Sequence, residues 1–131
     1  MSETNTATPY ERVGGEQGVR RLVHRFYELM DTRPDARAAR AIHAADLGPS
    51  EEKLFMYFSG WLGGPQLYVE RYGHPMLRRR HLHAAIASAE IEAWLVCFRQ
   101  AWAETVDDEA LTAVLMPQIE NLARHMRTRE G

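Results

Sequence analysis

At 131 residues, with 45% apolar and 26% charged side chains, the chain has the make-up of one soluble globular domain. Its formal charge of −2 supplies no global basic field for nucleic acid or an anionic membrane, and no apolar run approaches the ~20 residues that span a bilayer. The single cysteine, Cys97, excludes an internal disulfide framework and fits a reducing cytoplasm.

The opening residues, MSETNTATP, have neither a cationic start nor an apolar core, so no signal peptide is expected. Residues 1–9 are expected to form a polar, mobile tail, and 10–131 a single folded unit. After the turn Val13-Gly14-Gly15, the residues Val19, Leu22, Val23, Phe26, Tyr27 and Met30 recur at helical spacing. His24 lies off that stripe and should face solvent. Residues 31–48 read as turns with one or two short helical pieces around Ile42 and His43. Ser50 is expected to cap the next helix, whose apolar stripe is Leu54, Tyr57, Phe58, Trp61 and Leu62. Gly63-Gly64-Pro65 should stop it.

QLYVERYG, residues 66–73, reads as a connecting segment, and Pro75 as the first residue of a short helix. Ser88 is a candidate cap for a helix carrying Ile91, Trp94, Leu95, Phe98 and Trp102. Asp107 or Asp108 should start the last helix, with Leu111, Leu115, Ile119, Leu122 and Met126 inward and Pro117 kinking or interrupting it. No stretch alternates with period two, so the fold class is all-α.

The stretch RRRHLHAAI, residues 78–86, holds the sharpest chemistry. Leu77 and His81, four apart, share a helix face, whereas His83 lies ~200° further round and cannot share it. Of the two histidines, His81 is the one that could reach a core pocket, as a ligand or as a partly buried structural residue. The arginines are either a solvated run or partners for an anionic group beside His81, since guanidinium pairs bidentately with carboxylates. Tyr27 and Trp94 fit the core, yet a buried phenol or indole N–H also needs an acceptor. Cys97 reads as a small buried apolar residue, and nothing resembles a serine nucleophile motif.

Taken together, VGG at 13–15, RFYELM at 25–30, WLGGPQLYVERYGHP at 61–75, LRRRH at 77–81 and AWLVCF at 93–98 resemble the group II truncated haemoglobins. The likeness extends from Tyr10 to about Arg127, and the tryptophan thirteen residues beyond the histidine of R-x-R-H is part of it. It implies a shortened globin, a two-over-two helical sandwich around non-covalent haem b. In that family the R-x-R-H histidine is the proximal iron ligand, here His81. The resemblance further implies that Arg80 and Arg78 pair with the propionates, with Tyr68 and Lys53 as additional propionate contacts and Arg79 facing solvent. Leu54, Tyr57, Phe58, Leu77, Ile86 and Trp94 complete the haem contacts. On the distal side it assigns hydrogen bonding to Tyr27 and Trp94, with His43, Ser50 and Leu54 beside the ligand. His43 stands where tyrosine or phenylalanine is common, which makes the distal pocket pH-sensitive. His83-Ala84 stands where many members have Pro-Phe, a departure that should loosen packing beside the haem.

The implied function is binding of O2, NO or CO at ferrous iron, suited to NO or peroxide redox chemistry more than to transport, with a reductase as electron donor. The chain would act in the cytoplasm as a monomer or homodimer, without nucleic acid or membrane partners. Two rival readings are a dedicated haem peroxidase and a cofactor-free helical interaction module.

Overall fold

A computed structural model describes residues 7–82 and 84–130. Among them are the helices α1 (Pro9–Arg12), α2 (Gly15–Thr32), α3 (Arg37–Ala41), α4 (Gly48–Trp61), α5 (Leu67–Tyr72), α6 (Leu77–Arg80), α7 (Ser88–Thr105) and α8 (Glu109–His125). A short 3-10 turn, Pro34–Ala36, precedes α3, and no strand occurs among the described residues. The all-α class is therefore observed. No described helix is long and apolar enough to cross a membrane.

The stripe predicted for α2 is buried at every position, and Leu29 joins it. His24 is exposed and meets Glu51 at 3.1 Å. Phe26 of α2 and Phe98 of α7 are both fully buried, with ring centroids 5.8 Å apart. Phe58 of α4 closes on Phe98 at 5.4 Å. Edge and tilted contacts of this kind add about 0.5–1.5 kcal/mol each to the burial of the rings. α2 packs on both α4 and α7, and α7 on α8, which makes the two-over-two sandwich. Trp102, also buried, donates its indole N–H to Thr112 Oγ1 at 2.7 Å, so the α7–α8 side carries no unsatisfied indole.

Two glycine turns set the helix boundaries. Gly14 and Gly15 take φ of 111° and 66°, which lets α1 turn sharply into α2. Gly63 at φ 93° lets the chain leave α4, and a Cβ on Gly64 would fall 2.4 Å from the Tyr10 ring.

Several boundaries differ from expectation. Thr8 and Pro9, placed in the expected tail, open α1 through a capping box in which Thr8 and Glu11 exchange side-chain-to-backbone bonds at 3.0 and 3.1 Å. Ser50 does not cap α4: the helix begins at Gly48, with Pro49 in its first turn and Leu47 as the capping residue. Residues 67–72 form α5 instead of a plain connection. Pro75 does not begin a helix, because Met76 intervenes in the left-handed region at φ 45°, and α6 starts at Leu77. Ala87, not Ser88, precedes α7, and its N–H is taken by Glu90 at 2.8 Å. Pro117 lies within an uninterrupted α8; the proline and Ala113, the residue whose carbonyl it leaves unbonded, are both exposed, so water can serve that carbonyl. Asp108 caps α8 by accepting from Leu111 N at 3.0 Å. Val19, Leu22, Phe26, Phe98 and Ile119 are all fully buried and each contributes about 1.5–3 kcal/mol.

Candidate functional site

Beside this core the apolar faces of α2, α4, α7 and α8 do not meet. They line a cavity of about 590 Å3, bounded on its far side by Leu77 and Arg80 of α6 with His81, Ala84 and Ile86. The size lies within the usual range of small-molecule and cofactor sites, about 300–1,000 Å3.

His81 enters this cavity from the end of α6. Its Nδ1 lies 2.7 Å from the carbonyl oxygen of Leu77, one turn earlier. A carbonyl only accepts, so Nδ1 carries the proton and Nε2 keeps its lone pair. That tautomer, fixed by a backbone carbonyl, is the arrangement a metal-ligating histidine requires. Leu77, Tyr68 and Ile86 stand around it in the same lining.

On the opposite part of the lining Tyr27 is 6% exposed, and its phenol has no protein partner among the described residues. Burial, with the charge of Glu51 adding, raises its pKa above the ordinary tyrosine range, so the hydroxyl stays protonated. Trp94 is stacked on Phe98, centroids 5.1 Å apart, and is edge-on to Phe26 at 4.9 Å. Two turns along the same helix Trp102 has its acceptor; Trp94 lines the cavity, and its N–H has no protein acceptor among the described residues.

His43 joins them from the loop after α3, its ring edge-on to Tyr27 at 5.9 Å. Arg40 pins that loop through the carbonyls of Ala44 and Ala45 at 3.0 and 2.9 Å and is itself held by Asp31. His43 Nδ1 donates to Ala39 O at 2.7 Å, so its neutral form offers Nε2 as an acceptor. Burial lowers its pKa below the ordinary 6.5; the Ala39 bond opposes the shift and the charges of Arg40 and His81 assist it.

From α4, Ser50, Lys53, Leu54, Tyr57 and Phe58 face the same space. Lys53 and Arg80 are its cations. Arg80 donates to the carbonyls of Pro75 and Tyr72 at 2.7 and 3.0 Å and sits 5.7 Å from the Tyr68 ring centroid, with no carboxylate partner. Arg78 is turned elsewhere, donating to Arg127 O at 3.1 Å, and is not part of the lining. Arg79 is exposed. His83 lies outside the described residues.

Sequence reading missed Ala39, Ile42, Ala44, Ala84, Glu90 and Ala123 in the lining. Ile91, Leu122 and Met126, also in the lining, were visible as inward stripe positions, but periodicity cannot tell a core from a cavity wall. Cys97 is fully buried, and burial pushes its thiol up to about 11, so it stays protonated and inert. Among the described residues no group of three or more His, Cys, Asp or Glu could hold a metal ion.

Residues 8–128 match the family model of the bacterial-like globins. The chain is 36% identical over 118 residues to the group 2 truncated hemoglobin YjbI of Bacillus subtilis, covering 90% of this chain and 86% of the relative. Among solved structures it resembles the group II 2-on-2 hemoglobin of the plant pathogen Agrobacterium tumefaciens, at 50% identity and a TM-score of 0.94 over 99% of this chain and all of that one. The cold-adapted truncated hemoglobin of the Antarctic bacterium Pseudoalteromonas haloplanktis is 36% identical, with a TM-score of 0.91 over 94% of this chain and 99% of the other.

Proposed function

The chain belongs to the bacterial-like globin family, among the group II truncated haemoglobins, and on that premise we propose that His81 holds the iron of a non-covalent haem b. Membership itself implies haem-based binding of a diatomic ligand. When bound, haem supplies reversible coordination of O2, NO or CO at ferrous iron and one-electron chemistry at the same atom.

The observation that carries the assignment is the His81 Nδ1–H bond to Leu77 O, which leaves Nε2 free toward the cavity. Lys53 and Arg80 match the two propionates, since neither spends its charge on a carboxylate of the protein. Tyr27 O–H and Trp94 N–H are oriented donors for a diatomic ligand that carries partial negative charge. Preorganised donors of this kind cost no rearrangement when the ligand arrives. His43, neutral at physiological pH, accepts there and becomes a donor only on protonation. A site with two such donors retains O2 and favours redox chemistry, NO dioxygenation or peroxide turnover, over transport.

The test is spectroscopic. Purified protein supplemented with haem should show a Soret band and a five-coordinate ferrous form. His81→Gly should lose that form and regain it with added imidazole; an unchanged spectrum in the variant rejects the assignment. Tyr27→Phe and Trp94→Phe should each speed O2 dissociation roughly tenfold, the kinetic equivalent of one lost hydrogen bond. Unchanged rates in both would show that the donors lie elsewhere. Turnover of NO or peroxide no faster than free haem would exclude the redox role.

A further inference from the structure

Seven of the fifteen arginines of this molecule are matched to a carboxylate among the described residues. Arg12 meets Asp108, Arg25 meets Glu104, Arg33 meets Asp35, Arg99 meets Glu120 and Arg124 meets Glu92, all at 2.6–2.9 Å. Of the eight left without one, Arg21 and Arg37 lie apart, and the other six fall in the segments 71–80 and 127–129. Lys53, Arg71, Arg78, Arg79, Arg127 and Arg129 have no carboxylate within ion-pairing distance among the described residues.

Contacts gather these side chains in two groups, which the consecutive residues Arg78, Arg79 and Arg80 of α6 join into a ridge. Lys53 and Arg71 flank the Tyr72 ring at 5.7 and 5.5 Å, and Arg80 is bonded to the carbonyl of the same tyrosine. Arg79 follows on α6, and Arg78 reaches Arg127 O, while Arg127 in turn reaches Arg129 O at 3.3 Å. Against these cations the segments 67–82 and 127–130 offer only Glu70 and Glu130, while Glu51 and Glu52 beside Lys53 are turned to His24 and Arg20. Two propionates can neutralise Lys53 and Arg80 and leave the rest of the ridge positive. In a chain of net charge −2 the remaining surface must then be acidic, so the molecule carries a directed field centred on the cavity mouth. Within the ridge Met76 and Leu82 are 49% and 45% exposed, an apolar centre with a charged rim.

We propose that this ridge is the docking surface for a small acidic electron-carrier protein, which delivers single electrons across the cavity mouth. The inference rests on the haem reading above for the purpose of docking, and on charge complementarity alone for the surface. In the transfer one electron leaves the reduced flavin of the carrier, which is oxidised by one equivalent, and ferric iron becomes ferrous; no atom moves between the partners.

Flavodoxin, a small acidic flavin carrier, serves as the probe, with binding read by titration calorimetry on the protein with and without haem. At about 20 mM salt it should bind, and at about 300 mM the affinity should fall at least roughly tenfold, as expected for a screened charged interface. Arg79→Glu and Arg129→Glu, neither in the cavity lining, should each weaken low-salt binding about tenfold while the helical circular dichroism and the Soret band stay unchanged. Equal affinity in both variants, no binding at low salt, or salt-independent binding overturns the surface. Capture by phosphatidylglycerol vesicles with no flavodoxin binding also overturns it. A missing Soret band with the charge-dependent binding intact sinks the haem reading and leaves the surface standing.

Discussion

The α2–α7 crossing and the wall formed by α6 with His81, Ala84 and Ile86 both belong to one small globin, yet they are built on different principles. At the crossing, Leu22, Val23, Phe26, Cys97, Phe98 and Trp102 are at most 2% exposed and belong to one packed cluster. In the wall no residue of α6 is buried, α6 is four residues long, and Leu77 and His81 look into a cavity. The wall is held instead by polar ties. Arg80 bonds backbone carbonyls before α6, Thr128 N bonds Ile86 O at 2.8 Å, and Ile86 N bonds Thr128 Oγ1 at 2.9 Å. The crossing is stabilised by its own side chains; the wall awaits apolar surface that a bound group would supply.

The comparison can be broken most severely at Phe98. Phe98→Ala should cost about 3–5 kcal/mol in urea unfolding, because it opens a cavity among four aromatic rings. Leu77→Ala, at a half-buried wall position, should cost under about 1 kcal/mol without haem, far less than a fully buried leucine. An equal penalty for the two would show that the wall is as self-sufficient as the crossing.

Haem loading sharpens the contrast from the other side. Free haem at about 100 times its dissociation constant should add about 2.7 kcal/mol to the unfolding free energy. Hydrogen exchange should slow chiefly in residues 77–86, with little change in α2 and α7, whose amides are already protected by the crossing. Uniform slowing would mean that the two regions open together.

The smallest effect is one of pH. Burial depresses the folded-state pKa of His43 below its ordinary 6.5, so the unfolded chain takes up this proton first as pH falls. Stability from this group is complete above 6.5, and is lost as pH drops from there through the lower folded value. His43→Phe should flatten the decline in urea midpoint between about pH 7.5 and 5.5. A decline as steep as in the parent chain would assign it to other groups.

How much of this was legible in the sequence follows the same division. The α2 stripe, the inward face of α7 and the Asp108 cap were readable, because strict periodicity and short-range capping chemistry decide them. Helix α5 was not, since Leu67, Tyr68 and Val69 are contiguous and show no period. Ser50 looked like a cap, but Pro49 in the preceding position was the better start signal, and Ser50 was left free to face the cavity. At Met76 a non-glycine residue adopts φ 45°, which no residue-type preference announces. The cavity residues that were foreseen, His81, Tyr27 and Trp94 among them, came from the family likeness; helical spacing favoured His81 over His83 without placing either in a cavity. The aim of Arg78 depends on Arg127, 49 residues away, and such long-range pairing has no local signature.

Met76 has a further consequence, and it concerns local opening of the fold. A side chain held in the left-handed region costs roughly 1–2 kcal/mol, and here it stands at the head of the shortest stretch of the wall. Release of that residue relaxes the turn without disturbing the aromatic crossing, which shares no residue with it. The cost thus falls on the stretch that leads to His81 and not on the aromatic crossing, which makes this side of the cavity the part of the fold with least to lose from a local opening.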